Sequence, residues 1–144
     1  MSPVVRSILA VIVGMLSAFV LIALVQIIGV RVYPPPPGVD RTNLESMKVV
    51  MAQIPLGALL FVLLSYTVGS VAGGWVAARF APKGRMMHAM TVAALLFGAG
   101  LTNLMTIPHP AWFWVASSAL YWVGAWSGAQ AAGAGTETPR PAQA

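Results

Sequence analysis

The chain has 144 residues, of which 58% are hydrophobic and only 8% are charged. Soluble domains carry about 25% charged residues, and a soluble fold of this length leaves roughly 30% of its unfolded surface in water. The composition therefore excludes an ordinary soluble domain and predicts a membrane protein. Although the net charge is +5, the basic residues lie between apolar runs and form no continuous patch, so no nucleic-acid partner is expected.

Four apolar segments without Asp, Glu, Lys or Arg follow one another along the chain: Ile8–Val30, Ile54–Ala78, Met86–Ile107 and Ala111–Ala132. At about 1.5 Å per residue, each is long enough to cross a hydrocarbon core of about 30 Å. The predicted fold class is all-α, an integral-membrane, antiparallel bundle of four transmembrane helices in a single domain over residues 1–132. The helices are expected over residues 7–31, 54–79, 86–107 and 110–132. A secretory signal is the alternative for the first segment, but a signal core has only about 7 to 15 residues.

The positions of Lys and Arg in the connections predict the orientation, because these residues stay on the cytoplasmic side of short loops. One side would carry Arg6, Arg79, Lys83, Arg85 and Arg140. The other side would carry Arg31, Arg41 and Lys48, offset by Asp40 and Glu45. We therefore expect both termini to be cytoplasmic. Membrane lipids are expected partners, with candidate headgroup contacts at Arg79, Lys83 and Arg85.

The connection between the first two segments is the longest one. Four consecutive prolines, residues 34–37, predict a stiff extended spacer that ends at Gly38. Thr42 and Glu45 then fit a capping box, so a short helix is expected over residues 43–53. The tail, residues 133–144, is rich in Gly, Pro, Thr and Ala and is expected to be a disordered cytoplasmic segment.

Small residues recur at a spacing of four, which places them on one face of each helix and permits close helix packing in lipid. The expected helix-packing residues are Gly14, Ser65, Gly69, Gly73, Ala77, Gly98, Gly124 and Gly128. They suit either a tightly packed single chain or a dimer formed through the second or fourth segment. The tryptophans lie toward the predicted interfaces, as in an aromatic belt.

The apolar segments carry no Asp, Glu, Lys or Arg that could transfer a proton, and the chain has no cysteine. His88 and His109 lie at opposite ends of the third segment, too far apart to share a metal. We expect His88 to contact lipid headgroups and His109 to cap the fourth segment. No catalytic residue, metal site or cofactor is therefore predicted, and the protein is not expected to be an enzyme.

Uncharged polar residues gather at one level in the outer half of the predicted bundle: Gln26, Thr102, Asn103, Thr106, Ser117, Ser118 and Tyr121. They are candidates for lining a small outward-facing cavity. The alternative, which we favour, is that the Ser and Thr hydroxyls bond to their own i−4 carbonyls, while Gln26 and Asn103 pair across helices.

Two runs carry a resemblance to known sequences. They are Val-Gly-Ser-Val-Ala-Gly-Gly-Trp-Val-Ala-Ala-Arg at residues 68–79 and Ile-Pro-His-Pro-Ala-Trp-Phe at residues 107–113. The chain resembles a group of small bacterial four-helix inner-membrane proteins of uncharacterised function. The resemblance implies the fold and a location in the bacterial inner membrane, and it carries over no catalytic or binding residue.

The sequence leaves two functional hypotheses. The first is a non-enzymatic membrane protein that acts by helix association, as a homo-oligomer or as an accessory subunit of a larger membrane complex. The second is a small channel or permease for an uncharged or lipid-like solute, built on the outer polar level.

Overall fold

The computed structural model describes residues 2–37 and 42–136. This part of the chain is helical and contains no strand, which confirms the predicted all-α class. The helices, numbered in chain order, are α1 (Pro3–Val32), α2 (Leu44–Gln53), α3 (Leu56–Phe80), α4 (Arg85–Thr106) and α5 (Ala111–Ala131), and a 3-10 turn, Ala134–Thr136, follows α5. Three of these helices, α1, α3 and α4, are long and apolar enough to cross a membrane.

The first helix begins four residues before its predicted start. Ser2 caps it, because its hydroxyl accepts a hydrogen bond from the N–H of Val5 at 3.4 Å, and Pro3 occupies the first turn. Proline is favourable there, since the first N–H groups of a helix have no partner within the helix. The helix ends at Tyr33, because the residue before Pro34 is driven toward an extended conformation.

The predicted capping box of α2 is wrong in its cap residue. The cap is Asn43, whose side-chain oxygen accepts hydrogen bonds from the N–H groups of Glu45 at 2.9 Å and Ser46 at 3.5 Å. Glu45 is thus the second helical residue, too early to reach back to the cap, and it pairs with Lys48 at 2.8 Å instead. Gly38, the predicted end of the proline spacer, lies outside the described residues.

Glycine or proline stands beside several helix boundaries. Gly84, in the left-handed conformation with a φ of 60°, precedes α4, and Pro110 precedes α5. Gly133, with a φ of 85°, follows α5 and leads into the 3-10 turn. The tail that was expected to be disordered therefore begins with a turn, and its remaining residues, 137–144, lie outside the described part of the chain.

Helix α3 is central, since it packs against α1, α4 and α5. It runs antiparallel to α1: the Arg6 guanidinium, in the first turn of α1, donates to the carbonyl of Phe80 at the end of α3. At the opposite end, the Tyr33 and Phe61 rings lie 5.9 Å apart. Helices α4 and α5 are also antiparallel, because Arg85 at the start of α4 donates to the Ala132 carbonyl after α5, at 3.1 Å.

The interior differs between the two ends of the helices. Toward the end that holds both termini, the buried side chains are small, and Ala78, Ala89 and Ala129 form a cluster there. Toward the other end, the buried side chains are large and include Tyr66, Leu104, Phe113 and Tyr121. The helix backbones can therefore approach closely at the first end, whereas large side chains fill the space between them at the second.

The close contact between α3 and α5 predicts that a methyl group added at Gly128 lowers stability, whereas one added at Gly98 on α4 does not. A Cβ atom built at Gly128 would collide with the Val71 carbonyl and lie 2.8 Å from the Trp75 nitrogen, whereas one built at Gly98 meets no described atom within 4 Å. We expect Gly128→Ala to lower the free energy of unfolding by about 1–3 kcal/mol, as overpacking does. The matched control Gly98→Ala should leave it nearly unchanged. Unfolding by SDS in mixed micelles measures both, and equal losses would contradict this packing.

Candidate functional site

Two polar links join α3 to its neighbours in the half of the molecule away from the termini. The Gln26 amide on α1 donates to the Ser65 hydroxyl at 3.3 Å, and Ser65 itself donates to the Val62 carbonyl at 2.6 Å. The Asn103 amide on α4 donates to the Tyr66 hydroxyl at 3.3 Å. Gln26 and Asn103 thus each bond to α3, through adjacent residues, and not to one another.

Tyr66 also joins α3 to α5. Its ring lies 5.1 Å from the ring of Tyr121. Gly100 on α4 makes room for this contact, because a Cβ atom there would collide with the Tyr121 hydroxyl. Phe113 packs edge-on against Tyr66 at 6.4 Å. The result is a buried tyrosine pair that links three helices.

The remaining residues of the predicted polar level are not brought together. Thr102 and Thr106 are exposed and donate to the carbonyls four residues earlier, at 3.1 and 2.8 Å. Ser117 and Ser118 both donate to the Trp114 carbonyl, at 3.3 and 2.7 Å. Their hydroxyls therefore satisfy the backbone of their own helices.

A cavity of about 500 Å³ opens beside this level, between the end of α1, the proline segment, α2 and the start of α3. This volume lies within the roughly 300–1,000 Å³ that is typical of small-molecule sites. Its lining is largely apolar and includes Met47, Met51, Ile54 and Phe61. Of the predicted polar-level residues, only Gln26 is part of its wall.

Helix α2 covers this cavity. Met47, Val50 and Met51 line it, whereas the ion pair of Glu45 and Lys48 lies on the exposed side of the helix. The helix is therefore amphipathic, and its apolar face is turned toward the space between α1 and α3.

Most predicted helix-packing residues lie at contacts within the chain. A Cβ atom at Gly14 would lie 2.8 Å from the Gly73 carbonyl and 2.9 Å from the Ala77 Cβ atom. Gly69 faces Ile22 and the Ala18 carbonyl, and Gly124 faces Ser70. Ser65 is buried and bonded to Gln26. Gly98 differs, because it is exposed and meets none of the described residues.

The basic residues beside the termini divide into two groups. Arg79 and Lys83 are exposed, as a headgroup contact requires. Arg6 and Arg85 instead donate to the terminal carbonyls of α3 and α5. A cation is favourable at a helix C-terminus, where carbonyls lack partners and the helix dipole is negative. Arg85, predicted as a lipid contact, thus also donates a hydrogen bond to the C-terminal end of α5.

Neither histidine lies where the sequence suggested. His88, expected at headgroups, is only 6% exposed, and its Nδ1 lies 3.0 Å from the Gly84 carbonyl. His109 does not cap α5. It stacks on Phe113 at 4.7 Å, and its Nδ1–H donates to the Ile107 carbonyl at 2.8 Å. Partial burial lowers the pKa of the His109 imidazole, and the hydrogen bond to Ile107 acts in the opposite direction. Within the described residues, no three His, Asp or Glu side chains form a metal-binding group.

Comparisons with protein-family models, with curated proteins and with solved structures find no match to this chain.

The link between Asn103 and Tyr66 predicts a measurable contribution to stability. We expect Asn103→Leu to lower the free energy of unfolding in micelles by about 0.6 kcal/mol, the average for a hydrogen bond between membrane helices. Thr102→Val is the matched control, since its hydroxyl bonds only to its own helix and should contribute less. A larger loss for Thr102→Val than for Asn103→Leu would show that the bond across the helices contributes no stability.

Proposed function

We propose that the protein is a non-enzymatic integral membrane protein with four transmembrane helices, α1, α3, α4 and α5, and that it acts by helix association. The exposed side chains support the membrane placement. Helix α1 exposes large hydrophobic residues along its whole length, from Val4 to Val32. In water such a surface would be far larger than the apolar patches of a few hundred Å² that soluble monomers expose.

Helix α5 is the fourth span in this proposal. It is not among the three helices that are apolar enough by composition, because Trp, Ser and Gly lower its mean hydropathy. Yet it packs along α3 from Phe113, beside Tyr66, to Gly128, beside Val71 and Trp75. If α3 crosses the membrane, α5 lies at the same depth. Its exposed residues Trp112, Val115, Val123 and Trp126 also suit a lipid-facing surface.

The distribution of basic residues supports an orientation with both termini in the cytoplasm. Arg6, Arg79, Lys83 and Arg85 lie at one end of the helices, next to both chain ends. Lys and Arg near membrane spans favour the cytoplasmic side. The hairpin between α4 and α5 has no formal charge and would lie outside, together with α2.

This topology is directly testable because the chain has no cysteine, so single cysteines can be placed at will. We expect a membrane-impermeant maleimide to label Pro36→Cys and Pro108→Cys in spheroplasts. Ser2→Cys and Thr136→Cys should be labelled only after permeabilisation. Labelling of Thr136→Cys without permeabilisation would contradict the fourth span, and labelling of Ser2→Cys would contradict the orientation.

The open face of α4 supports association. On α3 and α5 the small residues are occupied by contacts within the chain, as at Gly73 and Gly124. On α4, however, Ala94, Gly98 and Thr102 are exposed and spaced by four residues. Small residues at this spacing allow a second helix to approach closely in lipid. A homo-oligomer or an accessory contact with another membrane protein would use this face, and not the α3 and α5 faces that the sequence suggested.

Substitution of Gly98 tests the association. Gly98→Ile should shift the protein toward the monomer in light scattering or crosslinking in mild detergent, because the side chain fills the groove. It should leave the fold intact, since a Cβ atom there meets no described neighbour within 4 Å. The matched control is Ala23→Ile on the exposed side of α1. An unchanged species for Gly98→Ile, or an equal change for Ala23→Ile, would contradict association through α4.

The second candidate function, passage of an uncharged or lipid-like solute, is favoured by the outer cavity alone. Thr102, Thr106, Ser117 and Ser118 bond to their own helices and are not part of its wall. The cavity thus supports binding at the outer end more directly than a path across the membrane.

A further inference from the structure

We propose that the cavity beneath α2 binds a single-chain, uncharged lipid, with its hydrocarbon chain among Met47, Met51 and Phe61 and its polar group at Gln26. The proposal depends on the membrane placement proposed above and is independent of association through α4.

The lining of the cavity favours a hydrocarbon chain. Aliphatic and aromatic side chains and four prolines form most of its wall. Two of the side chains contributed by α2 are methionines, Met47 and Met51. Methionine is unbranched and polarizable, so it adapts to flexible apolar ligands. A volume of about 500 Å³ suits one chain of modest size.

The charges of the site exclude an ionised ligand. None of the described residues that line the cavity is acidic or basic. The nearest ion pair, Glu45 with Lys48, is on the exposed side of α2. An ionised headgroup inside the cavity would lose its hydration without gaining a partner of opposite charge. The described lining therefore favours a neutral ligand.

Gln26 gives the cavity its polar end. Its amide nitrogen is used in the hydrogen bond to Ser65, which fixes the side chain in the wall of the cavity. None of the described residues donates to its carbonyl oxygen, which can accept a hydrogen bond from a ligand hydroxyl. A fixed polar group in a largely apolar pocket is the usual means of orienting a small molecule. A long-chain alcohol or a monoacylglycerol has the matching chemistry, a neutral donor at the end of one chain.

The cavity lies beside a contact between α1 and α3 that aromatic side chains fill. Near the termini, the Gly14 and Gly73 backbones touch. At the other end, a Cβ atom at Gly29 would meet the Phe61 side chain at 3.2 Å, and the Tyr33 hydroxyl covers Gly57. Tyr33 and Phe61 pack edge to face. The Tyr33 and Phe61 rings thus pack between the two helices beside the cavity, and α2 covers it.

Photo-crosslinking tests this site. The purified full chain in mild detergent is incubated with a long-chain primary alcohol that carries a diazirine in its chain, and the labelled peptides are mapped by mass spectrometry. We expect the label on α2 and on the adjoining ends of α1 and α3. Ala58→Phe, which fills the cavity from α3, should reduce labelling about tenfold, and Ala119→Phe, on the exposed side of α5, should not. Met51→Trp fills the cavity from α2 and replaces Ala58→Phe if that variant does not fold.

The chemistry of the ligand is tested by three further probes with the same diazirine chain. Gln26→Leu should reduce labelling by the alcohol roughly two- to tenfold, the effect of one hydrogen bond, and leave labelling by the matching alkane unchanged. An ionised carboxylate and a two-chain phospholipid should label the site less than the alcohol. Equal labelling of Ala58→Phe and the unmodified protein, label spread evenly over the lipid-facing helices, or stronger labelling by the phospholipid would overturn the proposal. Cysteine labelling tests the membrane topology separately, so the two failures are distinguishable.

Discussion

The structure depends on direct backbone contact between α3 and its two flanking helices. Gly14 and Gly73 allow α1 to touch α3, and a Cβ atom at either position would lie within 3 Å of a carbonyl oxygen of the other helix. On the other side of α3, Gly74 meets the backbone of Ala125, and Gly128 meets that of Val71. Such close contacts supply dispersion energy between the helices, and in lipid this energy would largely replace the hydrophobic drive.

These contacts also explain why the two ends of the molecule differ. Glycine and alanine bring the helices together near the termini, where Arg6 and Arg85 bond to the last carbonyls of α3 and α5. At the opposite end, Phe61 and Tyr33 occupy the space between α1 and α3. The same helices thus form a closed end and an open end, and the open end contains the cavity and the polar links of Gln26 and Asn103. The closest backbone contacts and the cavity therefore lie in different halves of the molecule.

The sequence predicts the helices well because their main signal is long runs of apolar residues bounded by proline, glycine and charge. The all-helical class and three apolar, membrane-length helices follow from it. The finer features depend on which residues meet. The spacing of four in Gly69, Gly73 and Ala77 indicates a packing face but not the partner, and only the structure shows that α1 fills it while the face around Gly98 stays open. The cap of α2 was misassigned because Thr42 and Asn43 both suit that position.

The cavity could not be predicted from the sequence. Its wall comes from residues within 26–36 and 47–62 and from Ile107, which only the fold brings together. Gln26 was the one signal that pointed to it, as a polar residue near the end of an apolar segment. For His88, the sequence pointed to the wrong environment. Its place near Arg85 suggested a surface position, yet its side chain is buried and its Nδ1 lies within hydrogen-bond distance of the Gly84 carbonyl.

Disulfide formation between Gly14→Cys and Ala77→Cys tests most directly whether the glycine contacts join helices of one chain. A Cβ atom at position 14 lies 2.9 Å from the Ala77 Cβ atom, so a shift of about 1 Å gives disulfide geometry. We expect the double variant to form the bond within a single chain and a mixture of the two single variants to form no covalent dimer. Covalent dimers in that mixture, without an intrachain bond in the double variant, would show that this face joins two chains and contradict the account.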